Sequence, residues 1–182
     1  MSSAMGLVEF NSIARGIEAA DAMLKSARVE LVQSRPICPG KYIALVSGDV
    51  SAVENAVQHG IKKGETAVVD DFILPNVHPS VISAITATGP VEELKALGVI
   101  EVFSIAAAIE AADAAVKAGE VELIEISLGI GIGGKSFVTM TGDVDAVKAA
   151  VEVGLAVAAK KGMLVDTVVI PSPSRELTQW II

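Results

Sequence analysis

The chain has 182 residues, 52% of them hydrophobic but only 3% aromatic, so a large aliphatic core of Val, Ile, Leu and Ala is easily built. Its formal net charge is −8 with no basic cluster, which argues against a nucleic-acid partner, because phosphate binding needs clustered Lys and Arg. No apolar run is long enough to span a membrane, so no membrane partner is expected.

The N-terminus, Met1-Ser2-Ser3-Ala4-Met5-Gly6, lacks the basic and apolar regions of a secretory signal. Gly6 to Phe10 reads as a short strand. Ser12 then caps a helix whose apolar residues Ile13, Ile17, Ala20 and Leu24 recur at helical spacing. Val29 to Gln33 alternates partly, as a strand does. A Pro-Gly turn around Cys38 follows, then a buried strand from Tyr42 to Ser47. Ser51 with Glu54 makes a capping box for a helix striped by Val53, Val57 and Ile61. Asp70-Asp71 reads as a solvated turn before a last strand, Phe72-Ile73-Leu74. Pro79 opens a short helix as far as Thr86, which Gly89-Pro90 ends.

The same plan is then written again. Residues 6–34 lie over 98–126 without a gap, and more than half of the aligned positions are identical. Ile17-Glu18-Ala19-Ala20-Asp21-Ala22 returns as Ile109-Glu110-Ala111-Ala112-Asp113-Ala114. Gly48-Asp49-Val50 returns as Gly142-Asp143-Val144, and Pro75 as Pro171. A period of about 92–96 residues is a whole domain, too long for a solenoid repeat. The second copy ends at Val168-Val169-Ile170-Pro171, with a short tail helix after Ser174. Strand, helix, strand, strand, helix, strand, twice over, predicts an α+β fold of two tandem ferredoxin-like βαββαβ domains, residues 1–92 and 93–182. Each is an antiparallel sheet with helices on one face.

No catalytic constellation emerges, so no enzyme is expected. Gly129 to Lys135 is rich in glycine, and Ser136 follows, but Phe137 to Met140 reads as a strand where a phosphate loop needs a helix. His59 reads as a solvated helix position and His78-Pro79 as a helix start. Neither histidine lies in a zinc-hydrolase pattern.

Ile37-Cys38-Pro39-Gly40-Lys41 holds the only cysteine. One cysteine cannot close an intrachain disulfide, and a free thiol suits the reducing cytosol. Its place at a turn between two strands, rather than in an apolar stripe, lets a thiolate meet something from outside its own chain.

Gly6-Leu7-Val8-Glu9, Ile17 to Ala27 and Gly48-Asp49-Val50-Ser51-Ala52-Val53, with their repeats at Ile109 to Lys117 and Gly142 to Val147, resemble the signature of bacterial microcompartment shell proteins. The resemblance covers nearly the whole chain. Two such domains resemble the tandem members, which implies a homotrimer imitating a hexamer, packed edge to edge with other shell proteins in the shell of a cytosolic organelle. It also implies central pore loops at Pro36, Ile37, Cys38, Pro39 and Gly40, and at Ile130, Gly131, Ile132, Gly133 and Gly134. Lys25 and Lys117 match the family's edge lysine; each is otherwise a solvated lysine at a helix end, favourable to the dipole. Asn76 and Ser172 stand where many relatives carry an Arg, which puts edge contacts through that Arg in doubt.

The Cys38 loop resembles that of iron–sulfur-bearing members from propanediol-utilisation microcompartments. By that resemblance, Cys38 from three chains would ligate one 4Fe-4S cluster per trimer, for electron relay or cluster transfer with an encapsulated or cytosolic redox enzyme. Ile132 aligns with Cys38, so only alternate domains would offer sulfur, and the glycines around it keep that loop slim. Lys41 and Lys135 either favour the thiolate or are plain strand-start lysines. Zinc held by three thiolates and a water is a chemical rival, and a free redox thiol another. A metal-free pore passing small metabolites, a ferredoxin-like module binding a small regulatory ligand, and a thiol-dependent enzyme are the other readings.

Overall fold

Ser12 sits in extended conformation and accepts a hydrogen bond from the Arg15 backbone N–H, so the first helix starts where its cap dictates. The computed structural model describes residues 4–89 and 91–181. The expected roles of Met1 to Ser3 and of Pro90 lie outside the described residues. The chain divides into two units, Met1–Val77 and His78–Ile182.

In the first unit β1 (Ala4–Phe10), α1 (Ile13–Ser26), β2 (Glu30–Ile37), β3 (Lys41–Gly48), α2 (Val50–Gly64) and β4 (Val68–Leu74) follow in order. The sheet runs β2-β3-β1-β4, antiparallel throughout. Alternate residues of the central strands, Ala4, Val8 and Phe10 on β1 and Tyr42, Ala44 and Val46 on β3, form one core with Ala19, Met23, Val53 and Val57 of the two helices. Gly6 lies in the same alternation. A Cβ there would stand 2.5 Å from Val57 Cγ2 and 2.7 Å from Val53 Cγ1, so α2 crosses the sheet where a side chain is missing. Gly6→Ala is expected to lower stability by about 1–3 kcal/mol, as overpacking does, read from the midpoint of urea unfolding.

The second unit opens with α3 (Pro79–Ile85). Then come β5 (Ala96–Val102), α4 (Ile105–Ala118), β6 (Val121–Leu128), β7 (Ser136–Gly142), α5 (Val144–Lys160), β8 (Leu164–Ile170) and α6 (Arg175–Ile181). Its sheet repeats the order, β6-β7-β5-β8. Ser104 caps α4 as Ser12 caps α1. The α+β class and the duplicated βαββαβ order are as the sequence predicts.

Three details differ. The units divide between Val77 and His78 rather than after residue 92. The reason is that α3 packs on β6 and α4, with Val81, Ala84 and Ile85 buried. The His78 N–H also donates to Asp113 Oδ1 of α4 at 2.8 Å. Asp70 and Asp71 lie inside β4, opposite Glu9 and Val8, not in a turn before it. In this unit β4 is an edge strand, where acidic residues with low strand preference are tolerated. Finally, α2 begins after Asp49, so Ser51 sits within the first turn rather than at a capping box. No helix among the described residues is long and apolar enough to cross a membrane.

Candidate functional site

The β2–β3 hairpin closes on the pair Ile37 and Lys41, leaving Cys38, Pro39 and Gly40 as its turn. Ile37 is buried and anchors the turn to the sheet. The Cys38–Pro39 peptide is cis, and Gly40 has φ 74°, a region that side chains rarely enter. Ser34 Oγ and the Tyr42 hydroxyl, 2.8 Å apart, tie the two strands together below the turn. Pro36 belongs to β2 rather than to the loop, opposite Tyr42. It is tolerated because β2 is an edge strand in its sheet. Cys38 is a free thiol, half-exposed, and its two turn neighbours are exposed. Among the described residues no group of three His, Cys, Asp or Glu side chains could hold a metal ion. One chain therefore offers one sulfur donor at a tip. The donor set fits a metal centre only where further donors come from other chains.

The corresponding loop of the second unit runs from Gly129 to Lys135, between the paired ends Leu128 and Ser136. A strand follows it, not a helix, so it does not present the helix start a phosphate loop requires. Gly129, Gly131, Gly133 and Gly134 all have positive φ, from 64° to 83°. Around Gly131 and Gly133 a Cβ would meet nothing within 4 Å of its own chain. Glycine is thus required here by backbone conformation as well as by the slimness that the sequence predicts. Ile130 is exposed and Ile132 half-buried. The loop carries no sulfur, carboxylate or imidazole between its glycines, so it offers a metal no side-chain ligand.

The flanking lysines are both committed to their own sheets. Lys41 Nζ lies 2.6 Å from Glu9 Oε1, and Glu9 is buried. Lys135 Nζ lies 2.5 Å from Glu101 Oε1, at the equivalent place in the second unit. Neither stands as an unpaired cation beside its loop. Arg35, which no sequence motif marks, is different. Its Nε is buried with no hydrogen-bond partner, and burial holds its guanidinium below the usual arginine range. It is a cation three residues before Cys38 in an acidic chain, and that position was the only available cue.

Lys25 pairs with Asp21 on α1 and Lys117 with Asp113 on α4, each at 2.6 Å and one helical turn apart. The two are not equivalent. Asp21 is exposed, whereas the Asp113 side chain is only 6% exposed. His59 is exposed on α2, near the Asn55 carbonyl. His78 caps α3, its Nδ1 accepting the Ser80 N–H.

Comparison with known proteins follows the duplication. The BMC domain family matches residues 4–77 and again 96–173. The bacterial microcompartment shell protein PduT of Citrobacter freundii is 44% identical over 182 residues, covering all of this chain and 99% of that protein. The carboxysome assembly protein CcmO of Synechocystis is 31% identical over 93% of this chain and 61% of its own length. The crystal structure of a microcompartment protein from Desulfitobacterium hafniense superposes with a TM-score of 0.95 at 58% identity, covering 98% of this chain and 99% of that one.

Proposed function

This chain belongs to the bacterial microcompartment shell proteins and takes its place in the shell, and from that premise we propose that three copies meet around a threefold axis with their Cys38 turns at its centre, holding one 4Fe-4S cluster. The observation that carries the reading is the asymmetry between the two hairpin loops. One copy ends in a half-exposed thiol on a tight, anchored turn, and the other in glycine and isoleucine without a ligating group. Threefold repetition of such a chain gives three sulfurs alternating with three inert loops.

Each residue then has a separate task. Cys38 donates a thiolate. Buried Ile37 and the left-handed Gly40 hold the turn so that the thiolate keeps its position. Ile130 and Ile132 supply apolar surface that limits water around the pore. When bound, such a cluster supplies one-electron transfer or can be passed on whole, which gives the tile a relay role across the shell. Three protein ligands leave one iron for an outside ligand or a redox partner protein. Lys25 and Lys117 sit at edges that meet other shell proteins.

The test is anaerobic purification with iron and acid-labile sulfide measured against mass by light scattering. About four irons per three chains is the expected result. A trimer that takes up no iron even on reconstitution overturns the cluster and leaves a metal-free pore for small metabolites. One zinc per three chains overturns it in favour of a zinc site.

A further inference from the structure

The two short helices that follow the last strand of each copy occupy matching places in sequence, yet one is packed and the other is bare. In α3 the apolar positions Val81, Ala84 and Ile85 are buried on β6 and α4. Their counterparts on α6, counted from the matched prolines Pro75 and Pro171, are Leu177, Trp180 and Ile181. These hold the same helical spacing, but α6 has no buried residue, and Trp180 is 86% exposed. The caps also correspond. The Ser80 N–H bonds back to His78, and the Glu176 N–H bonds back to Ser174.

The surface that receives α3 has an open twin. On the second copy Ile105, Ile109 and Leu123 are buried. Their counterparts on the first copy, Ile13, Ile17 and Leu31, are exposed; Ile17 is 54% exposed where Ile109 is 0%. Ile13, Ile17 and Leu24 lie on one stripe of α1, a face an isolated water-soluble domain would fill with polar residues. Asp21 on that face pairs with Lys25 just as Asp113 pairs with Lys117, and Asp113 is the carboxylate that accepts the His78 N–H.

We infer that α6 docks on the α1–β2 face of the first domain of a second copy of this chain, as α3 docks on α4 and β6. The inference rests on the trimer reading and adds to it the element that locks one chain to the next. Leu177, Trp180 and Ile181 cover Ile17, Leu24 and Leu31, and the Ser174 N–H donates to Asp21 of the neighbouring copy. Closing the ring three times covers the apolar side of α6 and the residues Ile17, Leu24 and Leu31 at each contact.

Trp180 is the only tryptophan, so fluorescence reports on α6 alone. In the full-length protein its emission is expected to be blue-shifted and shielded from acrylamide when light scattering gives a trimer. Ile17→Glu, a change at an exposed site that should leave the circular dichroism spectrum of the chain intact, is expected to red-shift that emission and weaken trimer formation by roughly tenfold or more. Leu31→Glu should do the same. A trimer whose Trp180 remains fully quenchable overturns the docking but not the trimer. Shielded Trp180 that ignores both substitutions places α6 elsewhere and also overturns it. A monomer, with Trp180 shielded or not, overturns the docking together with the trimer.

Discussion

Cys38→Ser is expected to remove essentially all bound iron and sulfide while leaving the trimer and its melting behaviour in place. Serine is close to isosteric with cysteine, and the thiol is half-exposed at a turn whose shape is set by Gly40 and by the Ile37–Lys41 pair. The folding cost should therefore stay within about 0.5 kcal/mol, the range of ordinary surface changes. The ligand cost is different in kind. A hydroxyl does not ionise near neutral pH and is a poor ligand for the softer metals that thiolate selects. In the proposed trimer symmetry multiplies the loss, because one substitution deletes all three thiolates. Iron should fall from about four per three chains to near none. Ile132→Val, which keeps the apolar surface at the aligned position of the other loop, should leave the iron content unchanged and serves as the control. Loss of iron in both variants would assign the effect to pore packing rather than to the sulfur.

The duplication and the α+β order could be read from the sequence because they rest on long-range identity and on local caps. Ser12 and Ser104 do at the helix starts what their position before an apolar stripe predicts. Where tertiary context decides, the sequence was less informative. Asp70-Asp71 looks like a turn, yet β4 runs through it because an edge strand leaves one side open. The repeat phase assigns α3 to the first copy, but its three buried apolar residues assign it to the second unit, since packing and not sequence order defines a domain. The Cys38 turn was legible from Pro and Gly. The buried Nε of Arg35 was not, because burial is a property of the folded hairpin. Nor was the pairing of Lys41 with Glu9, which depends on strand register thirty-two residues away in the chain.

That pairing carries the second large effect. Lys41→Met is expected to lower the stability of the first domain by about 2–4 kcal/mol, because it leaves a carboxylate in the sheet without its counter-charge. The Glu9 side chain is 6% exposed and that of Lys41 33%, so the pair is partly screened on the lysine side only. The equivalent pair in the second domain, Lys135 with Glu101, is about one-third exposed on both sides. Lys135→Met should accordingly cost less than about 1 kcal/mol. Calorimetry is the suitable measurement, since two domains in one chain need not unfold in a single step. Replacing both partners, Glu9→Leu with Lys41→Met, should return stability to within about 1 kcal/mol of the parent, because a buried pair exchanged whole for apolar residues loses little. The single substitution also separates fold stability from the proposed cluster binding. The Lys41 charge is already met by Glu9, so Lys41→Met should keep its iron wherever the domain remains folded. A folded Lys41→Met protein that lost iron would instead assign that lysine to the cluster.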